Sequence, residues 1–280
     1  MRILVTGAGG MLGRDVVRAA REHGHEVLAH ARAELDATDA NAVHEAVAAA
    51  RADAVVNCAA WTDVDGAESD PEGAHAVNAK GAGNVARAAA AAGARLVHVS
   101  TDYVFDGAKR TPYVESDPTG PRSAYGASKL AGEREVAAAG GSHAIARSSW
   151  LFGARGRNFA ATMLALAAER DEVRVVTDQV GCPTYTGHLA AALLELAGSE
   201  QDGVVHLAGE GRCSWHDFAV EIFRQAGVEC RVLPCTTAEM PRPAPRPAFS
   251  ALASERGAPA PLPRWEDGLA AFLAERKVHA

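Results

Sequence analysis

Up to residue 149 the chain alternates short, apolar, β-branched runs with longer stretches of helix formers. The runs are RILVTG (2–7), HEVLAH (25–30), DAVVNCAA (53–60), RLVHVS (95–100) and HAIARSS (143–149). Between them lie LGRDVVRAAREHG (12–24), closed by Gly24, and DANAVHEAVAAAR (39–51), with Asp39 as N-cap. PEGAHAVNAKGAGNVARAAAAAG (71–93) reads as one long helix broken by small residues, and a helix after residue 123 precedes the fifth run. Runs of this length read as buried strands, and strands that alternate with helices specify a parallel sheet covered on both faces. The expected fold class is α/β: a doubly wound parallel (Rossmann) sheet with a smaller C-terminal α/β domain. The expected division is 1–150, also receiving later segments near 174–198, and 151–280.

Beyond residue 150 the rhythm loosens. A strand and turn are expected over 174–185, a helix over 186–198, a strand over 203–209 and a helix over 214–227 capped by Ser214. MPRPAPRPAFSALAS (240–254) is proline-rich, a linker or an ordered loop over a ligand, and a short helix starts at Trp265.

In such sheets ligands bind at the carboxyl ends of the strands. The first run enters TGAGGMLG (6–13), where Gly7, Gly10 and Gly13 have GxxGxxG spacing. Glycines there allow a tight turn, close backbone approach to a pyrophosphate and close helix–strand packing, while the helix start offers free N–H groups. The second run ends at His30 and is followed by Ala31 and Arg32, with no acid until Glu34. An acid would suit NAD, and an arginine suits a 2′-phosphate, so the expectation leans to NADPH. The fourth run ends with the hydroxyls of Ser100 and Thr101. Tyr125 then precedes Lys129 by four residues in SAYGASKLAGE. On a helix that interval puts both on one face, about 6 Å apart along the axis. A free tyrosine titrates near ~10, and a nearby cation would lower it towards useful general-acid range. Alone, the pair reads first as decoration of a helix face; after a dinucleotide turn and a hydroxyl-bearing strand end it reads as chemistry.

The bulk properties exclude several classes. The net charge of −7 argues against nucleic-acid binding. No run reaches membrane-spanning length. Cys58, Cys182, Cys213, Cys230 and Cys235 are odd in number and lack CxxC spacing, which suggests neither a disulfide framework nor a zinc site. A cytoplasmic protein with reduced thiols is expected.

The ordered set of glycine turn, hydroxyl strand end and YxxxK resembles the extended short-chain dehydrogenase/reductases. NCAAWTDVDGAE (57–68), VNAKG (77–81), VHVSTDYVFDG (97–107), YGASKLAGE (125–133), RSSWLFG (147–153), NFAATML (158–164), DQVGCPTYTGHLA (178–190) and RPAPRPAFSAL (242–252) narrow the resemblance to the dTDP-4-dehydrorhamnose reductase family. DQVGCPT and RPAPRPAFSAL are the more specific of these. The resemblance covers essentially the whole chain and makes the C-terminal domain substrate-binding. It implies reduction of the C4 ketone of dTDP-4-dehydro-β-L-rhamnose by NADPH, or less strictly NADH. Tyr125 would then be the proton donor. Lys129 would bind the nicotinamide ribose and depress the tyrosine pKa, and Thr101 would bond the sugar oxygen. Gly10, Met11 and Leu12 would line the pyrophosphate, His30 the adenosine ribose, and Asp36 and Ala37 the adenine. Ala60, Trp61, Thr62 and Val99 would complete the cofactor cleft. Val64, Asp102, Tyr103 and Trp150 would face the sugar nucleotide, and Arg246 its diphosphate.

Two departures stand out. PAFSA (247–251) lacks the second arginine often found in that loop, and no acidic cluster compels a metal-linked dimer, since Asp15 in the first helix is one residue and not a site, so the resemblance leaves Mg2+ and the choice between monomer and homodimer open. Three alternatives remain. One is a sibling reductase of another dTDP-4-ketodeoxysugar, such as a dihydrostreptose type. Another is a non-catalytic nucleotide-binding regulatory subunit, which would be expected to lose the Tyr/Lys pair. The third is an epimerase or dehydratase, which Asp102 beside Thr101 keeps open.

Overall fold

A computed structural model describes residues 1–257 and 261–279. Its centre is a six-stranded, wholly parallel sheet in the order β10-β5-β4-β3-β1-β2. The strands are β1 (Arg2–Thr6), β2 (Glu26–His30), β3 (Ala54–Asn57), β4 (Arg95–Thr101), β5 (His143–Ser148) and β10 (Gly203–His206). Their valines, isoleucines and leucines face both ways because helices cover both faces. On one face Ile3, Val5, Val56 and Val97 pack on α1 (Met11–Glu22) and α8 (Thr186–Ala197). On the other, Leu4, Val55, Leu96 and Ile145 pack on α2 (Ala40–Ala50) and α5 (Ala82–Ala91). Asp39 caps α2 by accepting from the Asn41 and Ala42 amides.

The stretch 71–93 is one helical run with a π-helical turn inside it. After α3 (Val64–Ser69) it divides into α4 (Pro71–His75), a π-helical turn at Ala76–Gly81 and α5. The backbone stays right-handed helical at both junctions, so the rod continues to Ala91. Gly81 lies against Ala37, where a Cβ would stand 3.2 Å from the alanine methyl.

The second lobe is built from β6 (Leu151–Phe152), α7 (Phe159–Ala167), β7 (Glu172–Val176), β8 (Val180–Gly181), β9 (Thr184–Tyr185), β11 (Cys213–Ser214), α9 (Trp215–Ala226), β12 (Arg231–Cys235) and α10 (Trp265–His279). Its core gathers Phe152, Phe218, Ile222, Leu269 and Phe272. Of the segment near 174–198, α8 covers the main sheet, whereas the strand at its start, β7, pairs in parallel with β12. The strand expected over 203–209 is shorter and forms the sheet edge as β10.

The proline-rich segment is an ordered strap. Tyr113 N donates to Ala251 O at 2.8 Å, Val180 N to Ala248 O at 2.9 Å and Ser250 N to Val180 O at 2.8 Å. Among the described residues no helix is long and apolar enough to cross a membrane.

Candidate active site

The carboxyl ends of β1, β2 and β3 form one flank of a cleft. Gly7 has φ +67°, and a Cβ on it would stand 2.6 Å from the Ala59 nitrogen. A Cβ on Gly13 would fall on the Gly7 carbonyl oxygen, well inside contact distance. Gly10 caps α1 with no side-chain bond, so the amides of Met11, Leu12 and Gly13 open the helix beside a bare backbone turn. A diphosphate fits such a start, where N–H groups and the helix dipole both favour negative charge.

His30 ends β2, and its carbonyl accepts from Ala8 N at 3.0 Å. Arg32 is exposed just beyond, while Glu34 is engaged, accepting from Ala31 N at 2.8 Å. Asp36 accepts from Thr38 N and Oγ1 at 2.9 and 2.8 Å, and these bonds hold its carboxyl below the usual range. Ala37 is buried beneath the π turn.

Ala60, Trp61 and Thr62 leave β3 along the cleft. Asn78, on the π turn, accepts from Trp61 N at 2.8 Å and donates to Trp61 O at 3.1 Å and to Ser128 Oγ at 2.9 Å. Ser128 donates in turn to Tyr125 O at 2.7 Å. Asn78 thus ties the cleft wall to the tyrosine's helix. It lay inside VNAKG, but nothing local in that stretch announced a bridge.

The other flank is made by β4, β5 and α6 (Ala124–Ala138). Ser123 caps α6 by accepting from Gly126 N at 3.1 Å, which sets the register of Tyr125 and Lys129. The Tyr125 phenol lies beside Thr101, whose hydroxyl draws its proton affinity down. Burial pushes the phenol above its ordinary value, against the pull of Thr101, and Asp102 pushes the same way. The expectation that Lys129 lowers it does not hold in this structure. Lys129 Nζ donates to Val99 O at 2.7 Å and lies 3.5 Å from His98 Nε2. Burial draws Lys129 down to about 8. The i,i+4 spacing fixes where two side chains start, while a backbone carbonyl on the neighbouring strand decides where the lysine ends.

Successive residues of β4 face opposite ways. Ser100 turns from the cleft to donate to Glu133 Oε1 at 2.5 Å, and Glu133 receives Arg147 through two bonds of 2.9 and 2.7 Å. Asp102 accepts from Thr101 Oγ1 at 3.0 Å, but its Oδ2 has no partner, and burial pushes the carboxyl up to about 6. The Tyr103 ring meets Tyr125 edge-on at 5.6 Å between centroids.

Arg246 reaches in from the strap, bonding Asp65 Oδ2 at 2.9 Å, with its guanidinium 6.0 Å from the Tyr103 ring centre. Asp65 follows Val64 at the start of α3. Trp150 has a left-handed backbone, φ +49°, and its indole lies flat on Trp215 at 3.5 Å. Gly181 makes room for that indole, since a Cβ there would overlap the ring. Trp215 escaped the sequence reading because only the tertiary fold brings α9 to Trp150.

Among the described residues no three His, Cys, Asp or Glu side chains gather as a metal site. Asp15 is tied to Arg18 at 3.0 Å and to Thr186 at 2.5 Å. Arg18 also meets Glu275, whose other oxygen accepts from the Tyr185 hydroxyl.

The family model described as "RmlD substrate binding domain" matches residues 1–278. A dTDP-4-dehydrorhamnose reductase of Mycolicibacterium smegmatis is 48% identical, covering 96% of this chain and 84% of its own. A crystal structure of the dTDP-4-dehydrorhamnose reductase of Clostridium acetobutylicum superposes with TM-score 0.96 at 41% identity, over 99% of this chain and 100% of the other. That of Bacillus anthracis, in complex with NADP, gives TM-score 0.95 at 38% identity, over 98% and 99%.

Proposed function

The chain belongs to the RmlD substrate binding domain family, and from that premise we propose that it reduces the C4 ketone of dTDP-4-dehydro-β-L-rhamnose to dTDP-β-L-rhamnose with NADPH. The observation that carries this reading is the meeting, along one sheet edge, of a side-chain-free phosphate turn at Gly7–Gly13 and the buried phenol of Tyr125, beside Thr101 and one helical turn before Lys129.

When bound, NADPH supplies the hydride that the ketone carbon accepts. The amides of Met11, Leu12 and Gly13 hold its pyrophosphate, with Gly7 and Gly10 keeping the approach clear. His30, Asp36 and Ala37 bound the adenosine, and Ala60, Trp61, Thr62 and Val99 line the rest of the cofactor cleft. Arg32 is free to meet a 2′-phosphate while Glu34 is engaged in its own turn, which supports NADPH over NADH.

Tyr125 holds the proton that goes to the ketone oxygen. Burial keeps its phenol protonated at neutral pH, so the proton is in place before the ketone is reduced, while the same shift makes it a weaker acid that Thr101 partly offsets. Thr101 orients that phenol and bonds the same substrate oxygen. Lys129, anchored by Val99 O, holds the nicotinamide ribose hydroxyls. Val64, Asp102, Tyr103 and Trp150 face the sugar nucleotide from the reaction flank and the second lobe. Arg246, kept near Tyr103 by Asp65, offers a guanidinium to the diphosphate. In this division residues 1–150 serve mainly the dinucleotide and 151–280 mainly the sugar nucleotide. Five free cysteines support a reducing, cytoplasmic setting.

The test is loss of NADPH absorbance with enzymatically generated dTDP-4-dehydro-L-rhamnose, for wild type and Tyr125→Phe. Turnover that collapses in the variant is expected. Turnover that survives removes Tyr125 as proton donor. No turnover in either protein, with NADPH still bound, points to a sibling ketosugar such as the dihydrostreptose type.

A further inference from the structure

Behind Lys129 runs an unbroken chain of buried polar groups to which the reaction above gives no task. Thr6, beside the glycine turn, donates its hydroxyl to Asn57 Oδ1 at 2.7 Å. The Ala59 backbone N–H donates to the same oxygen at 3.1 Å. Asn57 Nδ2 lies 3.1 Å from His98 Nδ1, and His98 Nε2 lies 3.5 Å from Lys129 Nζ. All four side chains are at most 2% exposed.

The proton positions follow from which groups can only donate. A backbone N–H only donates, so the Asn57 atom facing Ala59 is the oxygen. Asn57 Nδ2 therefore faces His98, and it too only donates, so His98 Nδ1 accepts. Burial, then the charge of Lys129, hold His98 well below its ordinary value, and the ring is neutral. A neutral imidazole that accepts at Nδ1 carries its proton on Nε2, pointing at Lys129.

We propose that Asn57 and His98 are positioning residues for Lys129, locking one imidazole tautomer that sets its N–H against the lysine nitrogen. An ammonium has only donors and is repelled by that N–H, so it turns its proton to the Val99 carbonyl instead. A neutral amine would accept the imidazole proton. The tautomer therefore favours the uncharged lysine, and a contact near the phosphate turn influences the group assigned to the ribose. The other titratable groups that act on the amine are Glu133 on its own helix and Cys58 after β3. Glu133 and Cys58 oppose the burial that brings Lys129 to about 8. The inference rests on the reductase reading for its purpose but not for its test.

The test is nitrogen NMR of the imidazoles in the full chain, with the His98 signals assigned by their loss in His98→Gln. The Nε2–H tautomer is expected in the wild type through neutral pH. Asn57→Asp replaces the donor by an acceptor and should convert His98 to the Nδ1–H tautomer, with Nε2 accepting from Lys129. The chain has four lysines, Lys80, Lys109, Lys129 and Lys277, so labelled lysine side chains can be titrated, with Lys129 assigned through Lys129→Arg. Its midpoint should rise by about one pH unit in Asn57→Asp, a tenfold gain in proton affinity. The new carboxylate also acts by charge alone, so Asn57→Asp is repeated in the His98→Gln background, where the rise should shrink. An Nδ1–H tautomer or an imidazolium in the wild type overturns the proposal, and so does an equal rise with and without His98. If the variants do not fold, the wild-type tautomer alone decides. None of these signals needs turnover, so a protein inactive on the ketosugar would count against the proposed function only.

Discussion

Where β1, β2 and β3 end, the cleft is made of space: Gly7, Gly10 and Gly13 withhold side chains so that backbone amides stand open. Where β4 and β5 end, it is made of buried polar side chains, with Lys129, Asp102, Glu133 and Arg147 each at most 5% exposed. Phosphate recognition can use amides that the helix start leaves unpaired, and these need no further support. Proton chemistry needs side chains of shifted proton affinity, so they must be desolvated, and each then requires partners. One flank is defined by absence and the other by mutual dependence.

The contrast can be broken by experiment. The largest effect is expected at Tyr125→Phe, with kcat down by about 10²–10⁴-fold and the dissociation constant for NADPH little changed; a parallel loss of cofactor affinity would show that the flanks are not separable. Next comes Arg147→Met, which strands Glu133 in the interior and should cost about 3–5 kcal/mol in urea unfolding. A cost below ~1 kcal/mol would mean that the reaction flank does not depend on its ion pair.

Asp102 follows. Burial lifts it from 3.8 to about 6, so between those values the folded chain keeps a proton that the unfolded chain has lost. Stability from this group is full below about pH 4 and falls as pH climbs through 6, a loss of about 3 kcal/mol at neutral pH. Asp102→Asn should therefore melt above the wild type at pH 8 and not at pH 4; equal melting temperatures at pH 8 would contradict the desolvated carboxylate. The smallest effect is expected at Gly13→Ala. The added methyl meets the Gly7 carbonyl, costing about 1–3 kcal/mol of stability and weakening NADPH binding more than turnover at saturation. Unchanged NADPH affinity would refute the idea that empty space defines that flank.

The same contrast explains what could be read from residues alone. The strands, α1, the Asp39 and Ser214 caps and the glycine turn rest on local periodicity and spacing, and the structure reproduces them within a few residues. The π turn at Ala76–Gly81 did not show, because its small residues carry the same local signal as a break. The direction taken by Lys129, the Thr6–Asn57–His98 chain, the Asn78 bridge and the Trp150–Trp215 stack depend on groups distant in sequence. A pattern at i and i+4 says nothing about a carbonyl thirty residues away.

The contact between Arg18 and Glu275 has a consequence for how the protein is made. The two residues are 257 positions apart, and Arg18 sits on the helix that begins at the phosphate turn. The sheet edge β10 and the covering helix α8 also come from beyond residue 180. During synthesis the chain as far as β5 therefore leaves the ribosome with β5 lacking one of its two neighbours and one sheet face lacking α8. N-terminal domains generally fold first as they emerge, but this one must wait. The first helix gains its Glu275 partner only after nearly all of the chain has emerged.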